Sequence, residues 1–268
     1  MRRLFLSLLC VLLLRPEVCW GAWGTDTGRC TAVEEVSDSA ISCTIGSQYT
    51  VNDAIIVVFA TDNVSTTDGQ TSLHSSVTDS DNNTYTKQCE FTNGQGAAAA
   101  GATVSIWTAV AGATLADPDI ITANTGSDVT DKVITTDGFT ITAGGVISLV
   151  GTCQTEAADG ADAGSLTISD LAIQEHLFVR AIAAESNNVT SMTATTSYGL
   201  FVGGGGAGCD ATLTGGEASD MAGCGEARIL TGTSDSSDPT LVDTTNYNAS
   251  VYVALDEAAP AGGGGAVI

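Results

Sequence analysis

Oxygen-bearing side chains recur at alternate positions in the segment SVTDSDNNTYTK, residues 76–87, as they do in a calcium-binding loop. Asp79, Asp81 and Asn83 alternate along the segment, and Glu90 follows eleven residues after Asp79. An EF-hand loop has similar ligand spacing, but it also has glycine at its sixth position and a helix on each side. Here the sixth position is threonine, and the flanking residues have the composition of strands. The segment therefore favours a tight hairpin turn, in which aspartate and asparagine tolerate the left-handed conformation.

A calcium site of another kind is the alternative interpretation of these acids. Asp62 and Asp68 precede the segment, and folding could place them beside Asp79 and Asp81. Carboxylate oxygens from neighbouring loops are suitable Ca²⁺ ligands. The four aspartates are therefore the candidate metal ligands, and Ca²⁺ is the one cofactor that the sequence suggests. No catalytic residue is predicted.

The chain has two histidines, which limits the nucleophilic chemistry that it could perform. His74 lies among serines and near Asp79, so a Ser-His-Asp triad can be drawn, but no G-x-S-x-G motif is present. We expect His74 to be an exposed loop histidine. His176 begins the apolar stretch HLFVRAIAAE and is expected to be structural. A carboxylate pair for glycoside hydrolysis is a remote alternative, because most of the acids lie in turn sequences.

Aromatic residues that could stack on sugar rings are few. Trp107, Tyr85 and Tyr252 lie on predicted strands and could together form a carbohydrate-binding face. Packing within the sheets is the simpler interpretation of the same three side chains. A carbohydrate-binding module is therefore the second function class, and surface glycans are its expected partners.

Cysteine pairs are expected to brace the fold. Two of the eight cysteines lie in the first 21 residues, and an even number remains, as in exported disulfide-bonded chains. Six cysteines allow 15 pairings. Short spacing favours Cys30–Cys43 and Cys209–Cys224, which leaves Cys89–Cys153. A zinc site is disfavoured, because no C-x₂-C pair occurs and both histidines lie far from the cysteines in sequence.

Short strands separated by turn residues account for most of the chain. AIIVVFA, residues 54–60, is apolar throughout, as in a strand that is covered on both faces. TVSIWTAV (103–110) and SVYVAL (250–255) instead alternate between apolar and other residues. Many short strands with regular turn signals predict an all-β, antiparallel, disulfide-bonded and jelly-roll-like sandwich.

The N-terminus has the pattern of a signal peptide. Two arginines precede an apolar run of 11 residues, which is too short to span a bilayer, and cleavage is expected after Gly21. The predicted organisation is a signal peptide (1–21), a sandwich domain (22–257) and a flexible Gly-rich tail (258–268). The alternative for the domain is two packed sub-sandwiches that divide near 140–145. The protein is expected to be secreted or on the cell surface.

The net charge of −23 excludes several partners. Eight basic residues among 268 cannot neutralise a row of phosphates, so nucleic acid is not expected to bind. The same charge would repel an anionic membrane surface. Self-assembly remains open as a mode of association.

Five stretches taken together suggest a family: ATDNVSTTDG, SVTDSDNNTYTKQCEFTNGQGAAAAGATVSIW, HLFVRAIAAE, EARILTGTSDSSDPTL and NASVYVALDEA. In this order they resemble β-sandwich proteins of unassigned function from tailed-phage and marine metagenomic sequences. The resemblance covers most of residues 45–257 and implies a virion structural role without catalytic residues. The signal segment and the cysteines depart from that pattern. We therefore predict a non-enzymatic, exported structural or adhesive protein, of cell-surface or virion type.

Overall fold

A computed structural model describes residues 22–24, 27–62, 67–94, 101–142, 145–185, 189, 191–201, 208–211, 220–242 and 247–258. All regular secondary structure in these ranges is β, so they contain no helix that is long and apolar enough to cross a membrane. The predicted signal peptide and all but the first residue of the predicted tail lie outside these ranges.

Eight strands form the first half of the chain and make two facing sheets. The strands are β1 (Thr31–Glu34), β2 (Asp38–Thr44), β3 (Ala54–Asp62), β4 (His74–Asp79), β5 (Thr86–Asn93), β6 (Ala102–Val110), β7 (Ile120–Val129) and β8 (Lys132–Phe139). One sheet has the order β1-β8-β3-β6-β5, and the other has the order β2-β7-β4. Every pair is antiparallel, and the pairs β1–β8, β2–β7 and β3–β6 are nested. This nesting is compatible with the predicted jelly-roll-like sandwich.

Ten strands form the second half. They are β9 (Val146–Asp159), β10 (Leu166–Ile168), β11 (Gln174–Glu185), β12 (Ser191–Thr193), β13 (Gly199–Leu200), β14 (Cys209–Ala211), β15 (Met221–Gly232), β16 (Asp235–Ser237), β17 (Thr240–Val242) and β18 (Tyr247–Ala258). The main sheet has the order β13-β15-β11-β18-β9, with β14 also beside β15. The pairs β10–β16 and β12–β17 form small sheets.

The two halves repeat one plan. The order β9-β18-β11-β15 in the second half corresponds to β1-β8-β3-β6 in the first. The small sheets, β10–β16 and β17–β12, take the place of β2-β7-β4. The two sets of strands divide between the end of β8 at Phe139 and the start of β9 at Val146.

The main sheets of the halves pack against each other and share a core. Alternate residues of β3, including Ile56 and Val58, contact that core, and Val179 of β11 and Val251 of β18 face it from the other half. The intervening residues of β3, such as Phe59, pack instead against the β2-β7-β4 sheet. This two-sided burial explains why residues 54–60 are apolar at every position. The molecule is thus four layers deep, with the small sheets outermost in the second half.

The three disulfides are the pairs that the spacing favours. Cys30–Cys43 joins the two sheets of the first half, and Cys209–Cys224 joins β14 to β15. Cys89–Cys153 joins β5 to β9 and therefore links the two halves. Three disulfides in one chain indicate an oxidising, extracellular environment.

Candidate functional site

The Asp79 carboxylate organises the turn between β4 and β5. Its Oδ1 accepts hydrogen bonds from the backbone N–H groups of Asp81 and Asn83, both at 3.0 Å. Its Oδ2 accepts from Asn83 Nδ2 at 2.8 Å and from the Tyr85 hydroxyl at 2.9 Å. Asn82 has a φ of 60°, the left-handed conformation that was expected here. The turn is therefore tight, and both carboxylate oxygens of Asp79 already accept hydrogen bonds from residues of the turn and from Tyr85.

The prediction of a β-hairpin at this turn is wrong in one respect. β4 pairs with β7, whereas β5 pairs with β6 in the facing sheet. The chain therefore crosses from one sheet to the other at the turn. Val77 of β4 and Trp107 of β6 belong to the core that the two sheets enclose between them.

The four predicted calcium ligands do not meet around one point. Asp62 ends β3 next to Thr61, whose hydroxyl contacts His74 at the start of β4. Asp79 ends β4, five residues further on, which is about 16 Å along an extended strand. Asp68 accepts a hydrogen bond from the backbone N–H of Gly94 at 2.7 Å, and Asp81 is exposed. Asp62 and Asp79 therefore lie near opposite ends of β4, too far apart to bind one ion.

A different acidic cluster lies where the two halves meet. Carboxylate oxygens of Glu35, Asp131 and Asp220 lie within 4.8 Å of one another, and both aspartates are buried. Glu35 and Asp131 flank the paired residues at the ends of β1 and β8, and Asp220 precedes β15. Gly223 lets β15 approach, since a Cβ there would lie 2.8 Å from Val133 Cγ1. Each of the three acids also has interactions within the protein, so the cluster alone does not indicate an ion.

His74 is buried, and the prediction of an exposed loop histidine is wrong. It begins β4, and its ring lies between the two sheets of the first half, 4.1 Å from the Phe59 ring centroid. Its Nε2 lies 3.1 Å from Thr61 Oγ1 and its Nδ1 lies 2.6 Å from Ser105 Oγ. Burial, and then the charge of Lys87, lower the pKa of His74 well below its usual range. Ser105 is itself buried, so this arrangement is a structural network and not a triad open to substrate.

Glu90 belongs to the same network. Its carboxylate accepts a hydrogen bond from Leu73 N at 2.6 Å, and Lys87 Nζ lies 2.5 Å from its Oε2. Lys87 Nζ also donates to the backbone oxygen of His74 at 2.7 Å. Glu90, whose spacing from Asp79 is calcium-like, therefore helps to hold the backbone where β4 begins.

His176 is structural, as predicted. It is buried in β11, its Nδ1 contacts the Asp256 carboxylate, and its Nε2 lies 3.1 Å from the backbone oxygen of Ala172. These contacts tie β11 to β18 and to the loop that precedes β11.

The three aromatic side chains considered for a sugar-stacking face pack within the fold, which was the simpler interpretation of them. Tyr252 is fully buried in the second half, and Trp107 is buried in the core of the first. Tyr85 packs beside that first core and donates its hydroxyl hydrogen to Asp79. Of the aromatic side chains that the structure describes, none is exposed. The geometry thus offers no support for stacking on a glycan.

A buried charged cluster in the second half was missed by sequence reasoning. Arg180 on β11 is fully buried, and its Nη2 donates to the backbone oxygens of Ala163 at 2.5 Å and Gly164 at 3.1 Å. Burial lowers the pKa of Arg180 to about 10. Glu226 lies opposite it on β15 and accepts hydrogen bonds from Thr195 and other groups of the outer layer. The pair fastens connecting loops to the sheet.

The edge of β9 is the surface feature that is most open to a partner. β9 is 14 residues long and, among the described residues, pairs only with β18. A bulge at residues 151–153 interrupts that pairing. The preceding segment, Val146–Val150, has no charged residue, and Val146 is 59% exposed. We call Val146–Val150 the β9 edge segment.

A shallow groove adjoins the β9 edge segment. It has a volume of about 410 Å³ and runs between the start of β9, the end of β6 and the β4–β5 turn. Its lining is entirely uncharged: Asn82, Asn83, Thr84, Thr86, Thr108, Ala109, Val110, Gly145, Val146 and Ile147. The groove lining and the β9 edge segment together form an uncharged surface on a chain of net charge −23.

No protein-family model, curated protein or solved structure matches this chain. The resemblance to phage and metagenomic sandwich proteins therefore stays a prediction.

Proposed function

We propose that this protein is a non-enzymatic, exported structural subunit, of cell-surface or virion type, whose copies associate through the β9 edge segment. The observation that carries the proposal is this uncharged strand edge, which pairs with no described strand other than β18, in a chain of net charge −23. Open strand edges bind other strands unless charges, proline or bulges oppose the contact. The three disulfides support a location outside the reducing cytoplasm.

The other sheet edges carry charged residues. Among the described edge strands longer than three residues, β1 has Glu34, β2 has Asp38 and β4 has Asp79. β5 has Lys87 and Glu90. Like charges directly opposite each other destabilise a strand pair. β2 also has an uncharged stretch, Ser39–Thr44, so the β9 edge segment is distinguished by its apolar composition: four of its five residues are apolar, and Val146 is 59% exposed.

The sequence of the β9 edge segment also suits antiparallel pairing with the same segment of a second copy of the protein. In an antiparallel pair centred on Ser148, Val146 lies opposite Val150 of the second copy, and Ile147 lies opposite Leu149. Ile147 and Leu149 are half-buried against the shared core, so pairing would bury the rest of their apolar surface. Five residues form a small contact compared with the roughly 1,600 Å² of a stable complex. The association should therefore be weak for two copies and gain strength from repetition in an assembly.

Cross-linking at the centre of the pair tests this geometry. Directly opposite Cα atoms in an antiparallel pair are about 4.5–5.5 Å apart, which suits a disulfide. Ser148→Cys should therefore form a dimer under mild oxidation, with peptide mapping that joins position 148 to position 148. Val242→Cys, at an exposed position on β17, is the matched control and should remain largely monomeric. Dimers that form equally fast at both positions, or at neither, would contradict the proposed pairing.

A further inference from the structure

The buried carboxylate of Glu257 lies close to the end of β18. The residue is 3% exposed, and neither carboxylate oxygen accepts a hydrogen bond from any described residue. Gly145 lies against it, since a Cβ at Gly145 would be 2.3 Å from Glu257 Oε1. Burying an ionised carboxylate without a partner is costly, so this position indicates a cationic occupant.

A second carboxylate lies at the same corner. Leu177 of β11 is paired with Leu255 of β18, and two residues further along the same face these strands present Glu175 and Glu257. Glu175 Oε1 accepts a hydrogen bond from the backbone N–H of Trp23 at 2.6 Å. Two neighbouring carboxylates increase the demand for a positive charge.

The residues that follow the predicted signal peptide are anchored at this corner. The Trp23 ring is buried in the core that both halves share, and Gly24 N donates to Thr140 O at 2.8 Å. Ala22 N lies 3.4 Å from Thr142 Oγ1, and Thr142 O accepts from Gly145 N at 3.1 Å. Three backbone bonds separate successive nitrogens, so Ala22 N lies within about 7 Å of Glu175 Oε1.

We propose that Glu175 and Glu257 bind the α-ammonium group that signal-peptide removal creates at Ala22. A signal peptidase would add water across the Gly21–Ala22 bond, leaving a carboxylate on Gly21 and an ammonium group on Ala22. One amide N–H is thereby replaced by three donors and a positive charge. The ammonium group then pairs with the two carboxylates and ties the N-terminal segment to β11 and β18, so processing completes the fold.

Chains that begin at Ala22 and at Gly21 test the proposal. Both can be released from a cleavable fusion in an oxidising host and compared by thermal unfolding. The Ala22 chain should have a Tm at least about 5 °C higher, because the cationic partner of the buried Glu257 carboxylate is lost in the other chain. Acetylating the Ala22 amine should remove that difference. Equal Tm values for the two chains would overturn the proposal.

Variants at the two carboxylates separate this pairing from general destabilisation. Glu257→Gln should lower the Tm of the Ala22 chain but leave unchanged or raise that of the Gly21 chain, where the charge has no partner. Glu175→Gln should act in the same direction if the first variant fails to fold, and Asp81→Asn, an exposed acid, is the control. An equal loss in both chains would contradict the proposal. Stabilisation of the Gly21 chain by Ca²⁺ to the level of the Ala22 chain would assign the corner to a metal.

Discussion

Removing the Cys89–Cys153 disulfide should destabilise the protein more than removing either of the other two. The reason is the length of chain that each bond closes in the unfolded state. Cys89–Cys153 closes 64 residues, whereas the other two close 13 and 15. In the chain-entropy relation these lengths correspond to about 4 kcal/mol for the long loop and about 3 kcal/mol for each short one. None of the three loops lies inside another, so the comparison is direct.

Double alanine variants and thermal unfolding measure this difference. At about 2–4 °C per kcal/mol for a chain of this size, Cys89→Ala/Cys153→Ala should lower the Tm by about 8–16 °C. Cys209→Ala/Cys224→Ala is the matched control and should cost less, about 6–12 °C. Unfolding should remain a single transition, because the core between the main sheets includes residues of both halves. A smaller loss for the long loop than for the control, or two separate transitions, would refute the reasoning.

Three further predictions concern individual groups and the charge of the whole chain. The pKa of His74 is lowered by burial, so below about pH 6.5 the unfolded chain takes up a proton that the folded chain excludes. Stability should therefore fall by up to about 2 kcal/mol from this residue between pH 7 and 5, and denaturant titrations of His74→Gln should show a shallower fall. Asp79→Asn should cost about 1–3 kcal/mol in denaturant titration, because its carboxylate accepts four hydrogen bonds in the turn, whereas Asp81→Asn should be nearly neutral. Raising NaCl from 10 to 500 mM should raise the Tm, because screening weakens the repulsion within a chain of net charge −23, and a flat calorimetric Tm would contradict this.

Features that depend on neighbouring residues were predictable from the sequence. Apolar residues at every position of 54–60 required cover on both faces, and β3 has a sheet on each side. Residues 250–255 alternate between apolar and other side chains, and in β18 the alternate residues Val251 and Val253 both face the shared core. Short sequence spacing favoured the disulfides Cys30–Cys43 and Cys209–Cys224, and Cys89–Cys153 was the pair that remained. Each of these inferences uses strand periodicity or chain proximity alone.

Features that depend on distant parts of the chain were not predictable. His74 sits among serines in sequence, but its ring contacts Thr61 and Ser105 because β4 folds over β3 and β6. Asp131 and Asp220 meet only because β15 lies against β8. The repeated strand order of the two halves could not be predicted from the sequence either, because it is defined by hydrogen bonds between strands rather than by a shared sequence motif.

Sedimentation velocity of the chain that begins at Ala22, in 0.5 M NaCl, tests the proposed role in assembly most directly. Wild-type protein should show a concentration-dependent increase in sedimentation coefficient, because salt screens the overall repulsion and leaves the β9 edge segment free to pair. Ser148→Lys should sediment as a monomer at every concentration, while Val242→Lys, with the same added charge at another exposed strand, should behave like wild type. Assembly that survives Ser148→Lys would place the contact elsewhere on the subunit. A wild-type protein that stays monomeric at every concentration would contradict the structural-subunit function itself.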